Sequence, residues 1–373
     1  MLEYCSTAIN KFVFSELCEW KRLIDCDKLG RARVLRPKLE KRSKEFGHVL
    51  PRLCYEMYAA RFYRVTNDIE AFDKTMAYLE TVESEIEVWG MLQYLYLRLK
   101  GMRALSKRQF KESLDMLLEA EKMIGVEENV DGDAALYYAI GYCLTDLHNP
   151  NMAIEYLKKA QWHAFQKGHQ KYDIDIQCFL AQNYSKIGEH DEAFNILNEC
   201  LANKKGIKNS KASYSPLGNI HLSYGIICCR AEKYHDALVH FETAIENTEE
   251  GTDLYLNSLY YKTLALIDSG NPDMALPDLE KGESLSVAGT SWEALFSALK
   301  HSLMLTNPES LDCLINSLIP KLQEYGDIEE VMRHYRTLSD HYKKCEEYEK
   351  ALKYSNLALE TMETMIKKRE KGL

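Results

Sequence analysis

The sequence predicts an all-α protein: a right-handed superhelical solenoid of paired helices, preceded by a small N-terminal helical bundle. Three observations carry that expectation. Across 373 residues there are only 8 Pro and 18 Gly against 46% hydrophobic residues, which suits nearly continuous helix. A triplet of small residues recurs at fixed spacing, the second 12 positions after the first and the third 7 further on. Between those positions the apolar residues follow a helical period.

The bundle is expected over residues 1–88. Phe12, Phe14, Leu17, Trp20 and Leu23 fit a first amphipathic helix. Val34, Leu35 and Leu39, then Leu50 to Tyr63, predict two more, with breaks near Gly47–Pro51 and at Thr66–Asn67. EAFDKTMAYLETVES (residues 70–84) predicts a fourth helix with Phe72, Met76 and Leu79 on one face, ending the bundle as a degenerate hairpin.

The solenoid is expected over residues 89–373, as about six to seven helix pairs. Gly101, Ser113 and Ala120 begin the series. Gly141/Ala153/Ala160, Ala181/Ala193/Cys200, Gly225/Ala237/Ala244, Thr263/Ala275/Gly282 and Ser339/Ala351/Ala358 continue it. Small side chains there let helix A and helix B of each pair approach closely, the pattern of tetratricopeptide (TPR) repeats. Successive middle members stand 40, 40, 44 and 38 residues apart, longer than the minimal repeat, with loops at 125–133 and 204–218 supplying extra length. The 76 residues from Ala275 to Ala351 predict one further pair hidden at 291–325 and split at Asn307–Pro308. KKREKGL ends the chain as the basic tail of a fraying helix.

Several function classes are set aside on composition and motif. No apolar run approaches a bilayer span and no secretory signal is evident, so a cytoplasmic protein is expected. The 11 cysteines lack CxxC or Cys/His ligand spacing and read as reduced core residues, with no metal and no cofactor. Nucleophile motifs, phosphate-binding glycine loops and HExxH are absent, so no catalytic residue is assigned. The net charge is −10, although residues 1–52 hold 12 Lys and Arg against 7 Asp and Glu. Residues 28–44 read as a solvated helix surface or a face for an acidic partner. The acidic remainder argues against direct nucleic-acid binding.

Solenoids of this kind bind extended peptides on the concave face lined by helix A. Counting the first small residue as position 8 of each repeat, the inward positions and their neighbours give Arg98, Tyr138, Tyr142, Gln182, Asn219, Ser223, Arg230, Asn257 and Tyr260 as candidate peptide-binding residues. A carboxamide can clamp peptide backbone, tyrosine offers flat apolar area, and arginine can take a carboxylate in bidentate fashion.

The order of ELCEWKRLID, CYEMYAARFY, YLYLRLKGMRALSKRQFKESLDMLLEAEKMI and ALYYAIGYCLTDLHNPNMAIEYLKKA resembles the Rap/NprR/PlcR (RRNPP) group of TPR peptide-pheromone receptors, closest to the Rap and NprR branch. The resemblance implies a quorum-sensing receptor for a short signalling peptide, with transcription or sporulation as output. It implies a response regulator or a DNA-binding domain as partner, and leaves a homo-oligomer open. Two features depart from the group. Residues 1–60 carry no helix-turn-helix texture, so the chain reads as a receptor without a DNA domain or as the receptor part of a larger regulator. The glutamine that Rap phosphatases direct at a response regulator's phosphoaspartate also has no counterpart. No glutamine precedes Gln93, and His48 alone lies near that point. A Rap-type phosphatase and a generic scaffold are the alternative readings.

Overall fold

The computed structural model describes residues 8–26, 28–45, 49–125, 133–167, 173–202 and 215–370. Two compact units emerge, one of residues 1–107 and 111–132, the other of residues 108–110 and 133–373. His48, most of the two predicted loops (126–132 and 203–214) and the last three residues lie outside the described residues.

The first unit comprises α1 (Ala8–Asp25), α2 (Leu29–Glu45), α3 (Val49–Val65), α4 (Ile69–Thr81), the short α5 (Glu83–Ile86), α6 (Gly90–Ser106) and α7 (Phe110–Lys122) apart from Phe110 itself, which groups with the second unit. Trp20 organises its N-terminal end. The indole is fully enclosed, lies flat on Tyr55 at 5.4 Å and donates from Nε1 to Ala32 O at 2.9 Å. Phe72, Met76 and Leu79 are buried on one face of α4, as their spacing predicts. On α2 the expectation needs correcting: Val34 is 78% exposed, and the buried face runs through Ala32, Leu39 and Ser43 instead. Packing of α2 against both α1 and α3 selects the stripe of smaller residues. The basic stretch is partly neutralised within the unit, where Lys38 and Arg42 both engage Glu16 and Arg36 donates to Tyr63 Oη at 3.1 Å.

The second unit is a run of antiparallel pairs: α8 (Ala134–Asp146) with α9 (Pro150–Lys167), α10 (Asp173–Lys186) with α11 (His190–Ala202), and α12 (Pro216–Arg230) with α13 (Tyr234–Glu246). Next come α14 (Asp253–Asp268) with α15 (Pro272–Leu285), then α16 (Ser291–Leu303) with α17 (Pro308–Cys313) and α18 (Ile319–Tyr325), and finally α19 (Ile328–Lys344) with α20 (Tyr348–Glu370). The hidden pair is therefore α16 to α18. Asn307 caps its second half by accepting from Glu309 N at 2.9 Å. A π-turn at Leu314–Leu318 joins α17 to α18. Pro320 accounts for it: a missing N–H removes one i−4 bond, and the Ile319 N–H reaches back to Leu314 O instead.

The small residues do what their spacing predicts. A methyl group on Gly225 would lie 2.3 Å from Phe241 Cε1, and one on Gly282 would lie 2.2 Å from Phe296 Cε1. Ala153, Ala160, Ala181, Ala193, Ala237, Ala244 and Ala275 are fully enclosed. A second regularity accompanies them. The residue seven positions after the first small residue is left-handed in the turn of every fully described pair that the triplets mark: Arg108, His148, Gly188, Glu232, Gly270 and Glu346. That conformation lets the next N–H close the helix end, as when Asn149 N donates to Leu144 O at 2.8 Å and Lys233 N to Cys228 O at 2.8 Å.

Candidate functional site

The inner wall of the second unit is made by successive A helices, and hydrogen bonds between them set its shape. Asn183, wholly enclosed on α10, donates to Thr145 Oγ1 of α8 at 2.7 Å. From α12, Asn219 donates to Asp175 Oδ1 of α10 at 2.7 Å. Gln182 Nε2 donates to Ser223 Oγ at 2.9 Å, and Trp292 Nε1 donates to Asp253 Oδ1 at 3.0 Å. Each bond ties one repeat to the next through a residue whose spacing puts it on the shared face.

Two chemically distinct zones result. Midway along the A helices lies an aromatic and carboxamide zone. Tyr138 and Tyr142, one helical turn apart, close around Phe179, with ring centroids 5.7 and 4.7 Å away. Phe110 adds a fourth ring 6.0 Å from Tyr142. Burial pushes the Tyr142 hydroxyl well above its usual range, so it stays a neutral donor. Gln182 on α10, Asn219 on α12 and Asn257 on α14 are half-buried, and Arg230 reaches Gln182 O at 3.5 Å.

The second zone is charged and sits at the C-terminal ends of the A helices. Arg108 donates to Asp327 Oδ1 at 2.8 Å, with its guanidinium 5.3 Å from the Trp292 ring centre. His148 Nδ1 lies 2.6 Å from Glu329 Oε1, and Lys186 Nζ donates to Thr145 O at 2.6 Å. Arg333 meets Asp268 Oδ1 at 3.2 Å. Burial works against charge at Glu329, yet the bond and charge of His148, with Lys186 and Arg230 behind, hold its carboxyl well below the usual range. Asp146 is different. Burial raises its carboxyl despite Arg108, Lys186 and His148 nearby. Burial likewise raises Glu330, in spite of Arg333. The acidic first turn of α19 is thus seated on the basic turn residues and helix ends of the inner wall.

The candidate residues divide accordingly. Tyr138, Tyr142, Gln182, Asn219, Arg230 and Asn257 are half-buried on the A helices α8, α10, α12 and α14. Ser223 is wholly enclosed, where it accepts from Gln182 and also bonds the Cys178 thiol. Tyr260 is 4% exposed, packed edge-on against Phe296 at 5.5 Å, and offers no ligand surface in this arrangement. Arg98 belongs to the first unit, where it is buried over the Tyr94 ring at 5.5 Å. Phe179, Asp146, His148, Lys186, Glu329 and Arg333 were not among the candidates. Arg108 and His148 were accessible to repeat alignment, since Gly188 and Gly270 fill the same position in two other repeats. An arginine or histidine where the turn favours glycine is a visible anomaly.

Among the described residues, no helix is long and apolar enough to cross a membrane, and no group of three or more His, Cys, Asp or Glu could hold a metal ion. The ten described cysteines form no disulfide with one another.

Known proteins agree with this architecture. A tetratricopeptide-repeat family model matches residues 134–161 and 174–205, which are the α8/α9 and α10/α11 pairs. The class is therefore a TPR superhelix. The chain is 22% identical to regulatory protein RapD of Bacillus subtilis (strain 168) over 359 residues, covering 94% of this chain and 95% of that one. Among solved structures, a Rap protein complexed with competence and sporulation factor superposes with a TM-score of 0.79 at 15% identity, over 96% of this chain and 99% of that one. NprR in complex with its cognate peptide NprX gives 0.76 at 19% identity, over 94% and 99%. Sequence and fold together bear out the resemblance to the Rap and NprR branch of TPR proteins.

Proposed function

We propose that this chain is a receptor for a short linear peptide, held on the inner wall of the second unit, and that occupancy controls a regulatory partner. The observation that carries the reading is the pairing of an open aromatic zone (Tyr138, Tyr142, Phe179) with half-buried carboxamides (Gln182, Asn219, Asn257) and Arg230 on one face. Rings take apolar peptide side chains at low entropic cost, carboxamides can pair with both N–H and C=O of a backbone, and arginine suits a terminal carboxylate. That NprR binds its cognate peptide on the same fold supports the assignment. Asn219 already holds Asp175, so a ligand carbonyl would have to share or replace that bond. Its role as the clamp belongs to the same proposal.

The test is to recover short peptides retained by the purified protein from spent culture medium, and to titrate the synthetic peptide by calorimetry. Tyr142→Ala and Arg230→Ala are each expected to weaken binding by about tenfold or more, while Asn219→Ala tests the clamp. Unchanged affinity in both Tyr142→Ala and Arg230→Ala would sink the assignment of this face. Phosphatase activity finds no support in the side chains. Residues 1–92 contain no glutamine, and release of phosphate from a phosphorylated response regulator is expected to be no faster with the protein than without it.

A further inference from the structure

One B helix is longer than its repeat requires. α7, α11, α13 and α15 end two or three residues after the third small residue of their repeats, at Lys122, Ala202, Glu246 and Leu285. α9 continues seven residues past Ala160, to Lys167. Core packing does not account for the added turn. Ala164 is buried there, but Trp162 is 58% exposed and Phe165 83%.

The extension completes a line of rings between α8 and α9. Tyr156 lies 6.3 Å from Tyr137, Tyr137 lies 4.9 Å from His163, and Trp162 meets His163 edge to face at 4.7 Å. Tyr138, the next residue along α8, turns instead to Phe179 in the aromatic zone. Beside the line opens a cavity of about 660 Å³, lined by Tyr137, Glu155, Lys158, Lys159, Trp162 and His163. That is room for one small ligand.

The lining narrows the ligand's chemistry. Lys159 Nζ sits 4.3 Å from the Tyr156 ring centre and 5.6 Å from that of Tyr137, so a cationic ligand would find those faces taken. Lys158 Nζ lies 5.6 Å from the Tyr184 ring centre of α10. Two adjacent lysines call for an anion, and the open indole calls for a flat ring system. Glu155 precedes Lys158 by three residues on the same helix, yet no ion pair joins them. Its carboxylate can accept from hydroxyl groups. A long polyanion is opposed by the chain's net charge of −10.

We propose that this cavity binds one free purine nucleoside phosphate. The base stacks on Trp162, the phosphates meet Lys158 and Lys159, and the ribose hydroxyls donate to Glu155. A purine suits the site better than a pyrimidine because it covers more of an indole. The site is separate from the inner wall and stands whether or not a peptide binds there.

Calorimetric titration of the full chain with the mono-, di- and triphosphates of adenosine and guanosine tests it. At least one is expected to bind with a Kd below about 1 mM. The unphosphorylated nucleosides and inorganic pyrophosphate are expected to bind at least about tenfold more weakly than the best nucleotide, and a short single-stranded RNA no more tightly. Trp162→Ala and Lys158→Glu should each cost about tenfold or more, while Trp162→Phe keeps most of the affinity. Both positions are exposed, so the variants are expected to fold, as circular dichroism would show. Should either not fold, photolabelling of the unaltered chain with 8-azidoadenosine triphosphate locates the site by mass spectrometry, with label expected at Tyr137 or within residues 155–163. Absence of binding by all six nucleotides overturns the proposal, as does pyrophosphate or RNA that binds as tightly as or more tightly than the best nucleotide, respectively. Unchanged affinity in folded Trp162→Ala or Lys158→Glu, or label confined to other residues, overturns it equally.

Discussion

His148 and Arg108 occupy left-handed backbone positions, with φ of 57° at each, where an L side chain costs roughly 1–2 kcal/mol relative to glycine. Glu232 shares the φ of 57° and has an exposed side chain with no role on the inner wall. The three turns therefore separate strain from contact. Glu232→Gly is expected to raise stability by up to about 1 kcal/mol in denaturant unfolding, because relief of strain is partly offset by a more flexible unfolded chain. His148→Gly and Arg108→Gly relieve the same strain but release Glu329 and Asp327, so they are expected to show no gain. A gain equal to that of Glu232→Gly would mean those contacts contribute nothing. His334 supplies a second prediction at this scale. Burial, helped by the charge of Arg333, lowers its imidazole to about 3 from the ordinary 6.5. Only the unfolded chain then takes up a proton as pH falls between those values. Stability should drop by up to about 1.4 kcal/mol per pH unit from near 6.5 downward, levelling near 3. His334→Leu is expected to flatten that slope, read from urea unfolding midpoints across the range.

In three helix pairs a glycine meets a large residue, Gly101 on Leu117, Gly141 on Leu157 and Gly225 on Phe241, and the tolerance of that contact depends on what the large one is. At Gly225 the opposing group is the Phe241 ring, wholly buried and unable to bend aside. At Gly101 it is the branched end of Leu117, 2.7 Å from an added methyl. Gly225→Ala is expected to destabilise by about 1–3 kcal/mol and Gly101→Ala by less, since leucine can change rotamer. Equal losses in thermal unfolding would show the backbones, not the rings, to be limiting. The triplets made this packing legible before any coordinates. The sixth pair was legible only as a gap of 76 residues, because Pro320 and its π-turn replace the usual second helix and with it the small-residue signal.

Across the second unit, the inner wall and the first turn of α19 form one electrostatic assembly. A ligand held as proposed on the aromatic zone would lie between helices whose C-terminal ends hold α19, which would link ligand and α19 wherever one arrangement binds better than another. Peptide is therefore expected to alter amide hydrogen exchange in Ile328–Arg333 as well as in α8, α10 and α12. Glu329→Gln should speed exchange in that α19 turn without ligand and leave α16 unaffected. Protection confined to α8, α10 and α12 would uncouple the two zones.

Spacing along the chain was enough to determine the helix pairs and their close-packing points, and to put Tyr138, Tyr142, Gln182, Asn219, Arg230 and Asn257 on A helices. Helical geometry is local, and a fixed period repeats the same local answer. Two matters were decided only by the tertiary structure: that Ser223 and Tyr260 are closed off, and that Asp327 and Glu329 of α19 meet Arg108 and His148. Arg108 and Asp327 stand 219 residues apart, and no local period encodes such a meeting. The accumulated rotation of one repeat on the next brings them together, and that angle is set by packing between repeats.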